Sequence, residues 1–182
     1  MHIRSMSSSA EPPSPPERAR RPSPYRLPAL PDFLAAFAPL HAVGWRLQVL
    51  PGSLRDMPHS AADELASSAD LQGRRLVRAY AFPRDRDGWR ALVAAMSSIG
   101  QVVEDLDHHP LLLAAPASDL PPGVAELADA PDGYVLYVAT HTHTPMPPLG
   151  LQMEGKPAPG VTGKDVAFAE RVERAARHSH YV

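Results

Sequence analysis

The run Glu104-Asp105-Leu106-Asp107-His108-His109-Pro110 packs two imidazoles and three carboxylates into one short stretch, and Thr140-His141-Thr142-His143 adds a second histidine pair downstream. Imidazole is the side chain whose ordinary titration lies nearest neutrality, so such clusters suit proton transfer. Strand alternation puts His141 and His143 on one face. Three readings fit these residues: solvated loop histidines without a role, a zinc site of imidazoles and carboxylates, or metal-free acid/base work on a small polar heterocycle. The zinc pattern is weak, because no helix carries histidines at i and i+4 and His-Thr-His is unspecific. Cysteine is absent, which removes thiol catalysis, thiolate metal sites and disulfides. The residues alone leave the three readings open.

Elements of clear type must position these groups. Trp89, Leu92, Val93, Met96, Ile99, Val103 and Leu106 recur at steps of three and four, which predicts a helix over 85–107 that ends at the first histidine pair. Trp89 is expected to pack inward, and Gly100 to admit a second backbone close by. Asp32 is expected to cap a shorter helix carrying Phe33, Leu34, Phe37 and Leu40, followed by a turn at Gly44 and a strand over 45–50. Strands are further expected over 75–82, 111–115 and 134–142. The segment 51–72 reads as a loop in which 61–65 could form a helical turn, and 116–132 and 145–160 read as excursions. Thr162-Gly163-Lys164-Asp165 has capping-box form and opens a final helix with Val166, Ala169, Val172 and Ala176 inward. The order α-β-β-α-β-β-α implies an α+β fold: a four-stranded antiparallel sheet with helices packed on one face.

The 182 residues suit one domain, and 22 prolines against 11 glycines imply that part of the chain is irregular. Residues 1–31 hold eight prolines, five arginines and a serine run, and read as a disordered leader; 32–177 form the domain and 178–182 a tail. Arg4 and the serines resemble a mitochondrial transit peptide, but Glu11, Glu17 and the prolines break its amphipathic helix, so a cytoplasmic location is expected. A formal charge of −2 argues against a nucleic-acid or membrane-surface role, and no apolar run is long enough to cross a bilayer.

Leu40 to Trp45, Arg78 to Phe82, Glu104 to Pro110, Thr140-His141 and Gly160 to Asp165 together resemble the pterin-4a-carbinolamine dehydratase family in order and in element type, over about residues 32–177. The Glu-x-x-Asp-His-His-Pro run is the most specific part. The resemblance implies a four-stranded antiparallel sheet and the dehydration of 4a-hydroxytetrahydrobiopterin to quinonoid dihydrobiopterin. That reaction recycles the pterin cofactor of aromatic amino acid hydroxylases, with no metal and with the pterin as substrate rather than cofactor. It further implies dimers or tetramers. Some members are the dimerisation partner of a homeodomain transcription factor, so a catalytically weak co-regulator module is the alternative function. Carried over, His108, His109 and His141 lie at the pterin, with His108 and His141 as the acid/base pair and His109 as a binding group. Asp107 orients an imidazole, and Glu104, Lys164 and Asp165 line the site. The chain departs from the family where an aromatic residue usually follows His-His-Pro: here Leu111-Leu112-Leu113 stands.

Overall fold

The longest helix forms where the apolar period is strongest. The computed structural model describes residues 23–50, 65–121, 123–129, 132–150 and 158–178. In it Asp85 caps α2 (Arg86–Leu106) by accepting from the Gly88 amide at 2.7 Å. Gly88 has no room for a side chain, since a Cβ would lie 1.9 Å from the Pro83 carbonyl oxygen. The helix buries Leu92, Ala95, Ile99 and Val102. Two expectations are corrected here. Trp89, Val93 and Met96 are 51%, 45% and 38% exposed, because the small Ala95 and the neighbouring Val102 turn toward the sheet and rotate the predicted stripe partly outward. Trp89 reaches only the margin, edge-on to Tyr134 at 5.5 Å. Gly100 meets no atom of the described residues within 4 Å of where a Cβ would stand, so no described backbone approaches it.

Four strands, β1 (Arg46–Val49), β2 (Arg74–Phe82), β3 (Leu111–Pro116) and β4 (Tyr134–Thr140), form one antiparallel sheet in the order β1-β2-β4-β3. The α+β class and the order of the main elements are as the hydrophobic pattern implies. The pleat separates two apolar sets. Leu76, Tyr80, Phe82, Leu136 and Val138 pack with α1 (Leu30–Ala42), α2 and α4 (Gly163–His178) into the main core. Val77, Ala79, Val135, Tyr137 and Ala139 face the other way. There the excursion 116–132 is more ordered than its composition implies: a 3-10 turn at Ala117–Asp119 and α3 (Val124–Ala128) place Leu120, Val124 and Leu127 over part of that reverse face.

Glu173 of α4 is buried in the main core, where its Oε1 accepts from Trp45 Nε1 at 2.9 Å and Tyr80 Oη at 2.7 Å and pairs with Arg78 Nε at 3.4 Å. Buried charge is tolerated when it is paired and hydrogen-bonded in this way. Burial, with Glu173 beside it, drives the Tyr80 phenol pKa far up, so Tyr80 remains a donor.

The domain also begins earlier than composition places it. Leu27 is 1% exposed, its amide donates to Met146 O at 3.0 Å, and Met146 N donates back to Tyr25 O at 2.8 Å. Residues 23–31 therefore belong to the fold rather than to a leader; one well-placed leucine outweighs a proline-rich composition. Pro31 sits in the first turn of α1, where a missing amide costs nothing, and Ala29 takes the cap position expected of Asp32. Residues 1–22 of the expected leader, 61–64 of the expected turn at 61–65 and 179–182 of the expected tail at 178–182 lie outside the described residues, while α4 takes in His178. Leu27→Ala is expected to lower stability by about 2–4 kcal/mol, read from the urea midpoint at constant m-value; an unchanged midpoint would show that this segment does not pack. Among the described residues, no helix is long and apolar enough to cross a membrane.

Candidate functional site

The end of α2 decides where the two adjacent histidines go. Asp107 takes the left-handed conformation, φ 46° and ψ 55°, which aspartate tolerates better than most side chains. The His108 amide then closes back on Val103 O at 3.1 Å. That reversal drives His108 inward and His109 outward. His108 is 6% exposed, with its ring 5.2 Å from Phe168, whereas the side chain of His109 is 84% exposed.

The partner of His108 comes from the capping box. Asp165 accepts the Thr162 amide at 2.8 Å on Oδ2, as the Thr-x-x-Asp pattern requires, and the Lys164 amide reaches Thr162 Oγ1 at 3.3 Å. The same carboxylate is 0% exposed and serves the end of β4. Its Oδ1 accepts from Thr140 Oγ1 at 2.7 Å and from His108 Nε2 at 3.1 Å. Its Oδ2 accepts from the Thr142 and Thr162 hydroxyls, each at 2.9 Å. The Thr140 hydroxyl proton is committed to Asp165, so the contact of 2.5 Å between His108 Nε2 and Thr140 Oγ1 requires the imidazole to donate. Burial pushes the Asp165 pKa up, but hydrogen bonds from His108, Thr140 and the Thr162 amide outweigh it and hold the carboxyl below its usual value.

β4 ends at Thr140, two residues short of the expected strand, and Thr142 continues as a single bridge to Gly160, with N···O distances of 2.8 and 2.9 Å. Thr140 and Thr142 share the parity of Leu136 and Val138 and so face Asp165; His141 leaves the opposite side of the chain. His141 is half-buried, with its ring centroid 4.6 Å from that of the exposed His143. Among the described residues no group hydrogen-bonds the ring nitrogens of either. Burial lowers the His141 pKa, assisted by His143, Arg75 and His108 and opposed by Asp165. The neutral ring, a proton acceptor, is thereby favoured.

The other residues singled out by sequence are less closely gathered. Glu104 is exposed on α2. The Asp107 side chain is exposed and stands 3.9 Å from His109 Nε2. Lys164 Nζ donates to the Asp107 carbonyl at 2.6 Å and to Tyr25 Oη at 2.7 Å, which ties the start of α4 to the end of α2. Sequence reasoning missed Thr140 and Thr142 as ligands of the buried acid. Their parity with the core residues of β4 was a readable signal, because a threonine at a core position needs a polar partner. Tyr25 carried no signal at all.

The arrangement can hold an imidazole rigidly behind the strand and present two others, His109 and His141, at the same end of the sheet. That is a constellation for moving protons. Among the described residues no group of three His, Cys, Asp or Glu side chains is set to hold a metal ion. Compared with family models, with curated proteins and with solved structures, the chain has no significant match in any of the three.

Proposed function

We propose that the protein dehydrates 4a-hydroxytetrahydrobiopterin to quinonoid dihydrobiopterin by metal-free histidine acid/base catalysis. The observation that carries the reading is the convergence of the α2 end, the β4 end and the α4 start on His108, Thr140 and Asp165, with His109 and His141 left accessible beside them. Loss of the 4a-hydroxyl breaks one C–O bond, needs a proton on the departing oxygen, and needs a proton removed from ring nitrogen as the C=N bond forms. His141, held neutral, takes the ring proton. His109 protonates the leaving oxygen, which departs as water.

His108 was the expected partner of His141, but in this proposal its burial and its bond to Asp165 make it a positioning residue. It anchors Thr140, the neighbour of His141 in the chain. Lys164 and the Asp107 carbonyl keep the two helix ends together, and preorganisation of this kind is what a proton-transfer site requires.

Turnover of the 4a-carbinolamine by the purified full chain, followed with and without chelator, tests the reading. Turnover unaffected by chelator is expected. No turnover, or a chelator-sensitive rate restored by zinc, would overturn it.

The exposed apolar surface of Trp89, Val93 and Met96 favours a second reading, a dimerisation or co-regulator module, and with it a homo-oligomer. A dimer or tetramer by light scattering that Met96→Glu converts to monomer is the expected result. A monomeric wild-type chain would remove it.

A further inference from the structure

Beyond the histidines, the end of the reverse sheet face that no described element covers carries a polar cluster that proton transfer does not need. Arg75 pairs with Gln48 across β1 and β2, and the β2–β4 register ends at Leu76↔Thr140, so Arg75 and His141 are the next facing positions. Arg75 Nη2 donates to Gln48 Oε1 at 3.2 Å, and the buried Tyr137 donates to the same oxygen at 3.3 Å. The guanidinium carbon lies 5.9 Å from the centroid of the Tyr137 ring. Arg75 Nε is buried and meets no acceptor among the described residues. A buried guanidinium N–H without an acceptor is costly, and a planar fork of donors matches the oxygens of phosphate or carboxylate.

The surroundings favour the same charge. His141 and His143 stand edge to face, 4.6 Å between ring centroids, His141 within electrostatic reach of the guanidinium, and their ring nitrogens are free of hydrogen bonds among the described residues. The groups acting on His141 are His143, Asp165, Arg75 and His108. Asp165, the acid among them, is fully buried on the helix side with both oxygens occupied. Leu120 and α3 cover the reverse face around Val135 and Tyr137, whereas Leu111, paired with Ala139 and so on the same face, is 47% exposed at the end beyond the described cover.

From this geometry we infer that Arg75, with Gln48, His141 and His143, binds an anionic group, so that the ligand handled by His141 is a pterin bearing a phosphate or carboxylate. The inference rests on the proposed function for the word pterin, while the anion site stands on Arg75 and its neighbours.

Titrating the full chain with inorganic phosphate and, separately, with acetate distinguishes the two sources, with histidine NMR signals as the readout. Saturable binding of at least one anion is expected, shifting His141 and His143 and raising the His141 pKa, since a bound anion favours imidazolium. Arg75→Gln is expected to weaken that binding about tenfold or more, the effect of losing a charge-assisted hydrogen bond, while Arg75→Lys retains part of it. Should Arg75→Gln fail to fold, the exposed His143→Gln serves, with a several-fold loss expected. No saturable binding of either anion, or binding unchanged in a folded Arg75 variant and in His143→Gln, would overturn the site.

Comparing kcat/KM for a 6-hydroxyalkyl carbinolamine with that for its phosphate ester and for its carboxyalkyl analogue then tests the link. Preference for either anionic compound that Arg75→Gln erases supports it, and preference for neither overturns the assigned substrate class. Anion binding without turnover of any of these compounds would remove the dehydratase reading and leave the anion site standing.

Discussion

Asp165→Ala lowers the unfolding free energy by about 3–5 kcal/mol, the range for removing one partner of a buried ionic pair. The carboxylate is fully buried and accepts from Thr140, Thr142, Thr162 and His108, so its removal strands several donors at once and costs the N-terminus of α4 its capping acid. Asp165→Asn keeps the volume but offers one acceptor oxygen and an amide that meets other donors, so it recovers only part of the loss. Chemical denaturation read by far-ultraviolet dichroism measures both. A change below about 1 kcal/mol in the alanine variant would mean that solvent, not these donors, satisfies the carboxylate.

The same group sets an acid limit. Its folded pKa lies below the ordinary 3.8. Its contribution is therefore complete above about pH 4 and disappears as pH falls through the lower folded value. The stability difference between wild type and Asp165→Ala should narrow toward acid. A gap that widens on acidification contradicts the assignment.

His141→Ala is expected to reduce turnover about 10²–10⁴-fold, the usual worth of a positioned acid or base, with little effect on stability. His143→Ala, at an exposed position two residues on, should cost less than about tenfold. Both rings leave the same side of the chain, so parity does not separate them; their anchoring does. His141 lies between Thr140 and Thr142, both bonded to Asp165, and is half-buried within electrostatic reach of Arg75, whereas the exposed His143 lies beyond. The pH profile adds a second readout. With its pKa lowered from 6.5, His141 remains a base to lower pH than a free imidazole, so the acid limb of kcat/KM should fall below 6.5. A severe loss only in His143→Ala would reverse the assignment, and equal small losses would show that neither ring carries an essential proton.

Much of this protein is set by short-range pattern. The period of α2, the alternation of β2 and β4 and the Thr162–Asp165 capping box are local, because neighbours three or four residues apart on a helix, or two apart on a strand, share a face wherever the chain lies. Those patterns were enough to determine an antiparallel α+β sheet and to place both histidine pairs at element ends. They do not determine which part of an amphipathic stripe meets the sheet, and Trp89 and Val93 are exposed for that reason.

Tertiary structure decided how the histidines divide. One left-handed residue, Asp107, buries His108 and exposes His109, although the two are chemically identical neighbours. The acid that holds His108 lies 57 residues away; its spacing marks it as a helix cap and the family resemblance puts it at the site, but neither pairs it with His108. The sheet order set Arg75 beside His141, and Leu27 joined the core from a stretch whose composition argued for disorder. Such pairings depend on which strand end packs against which helix end, and that is fixed by the joint burial of many apolar side chains rather than by any spacing along the chain.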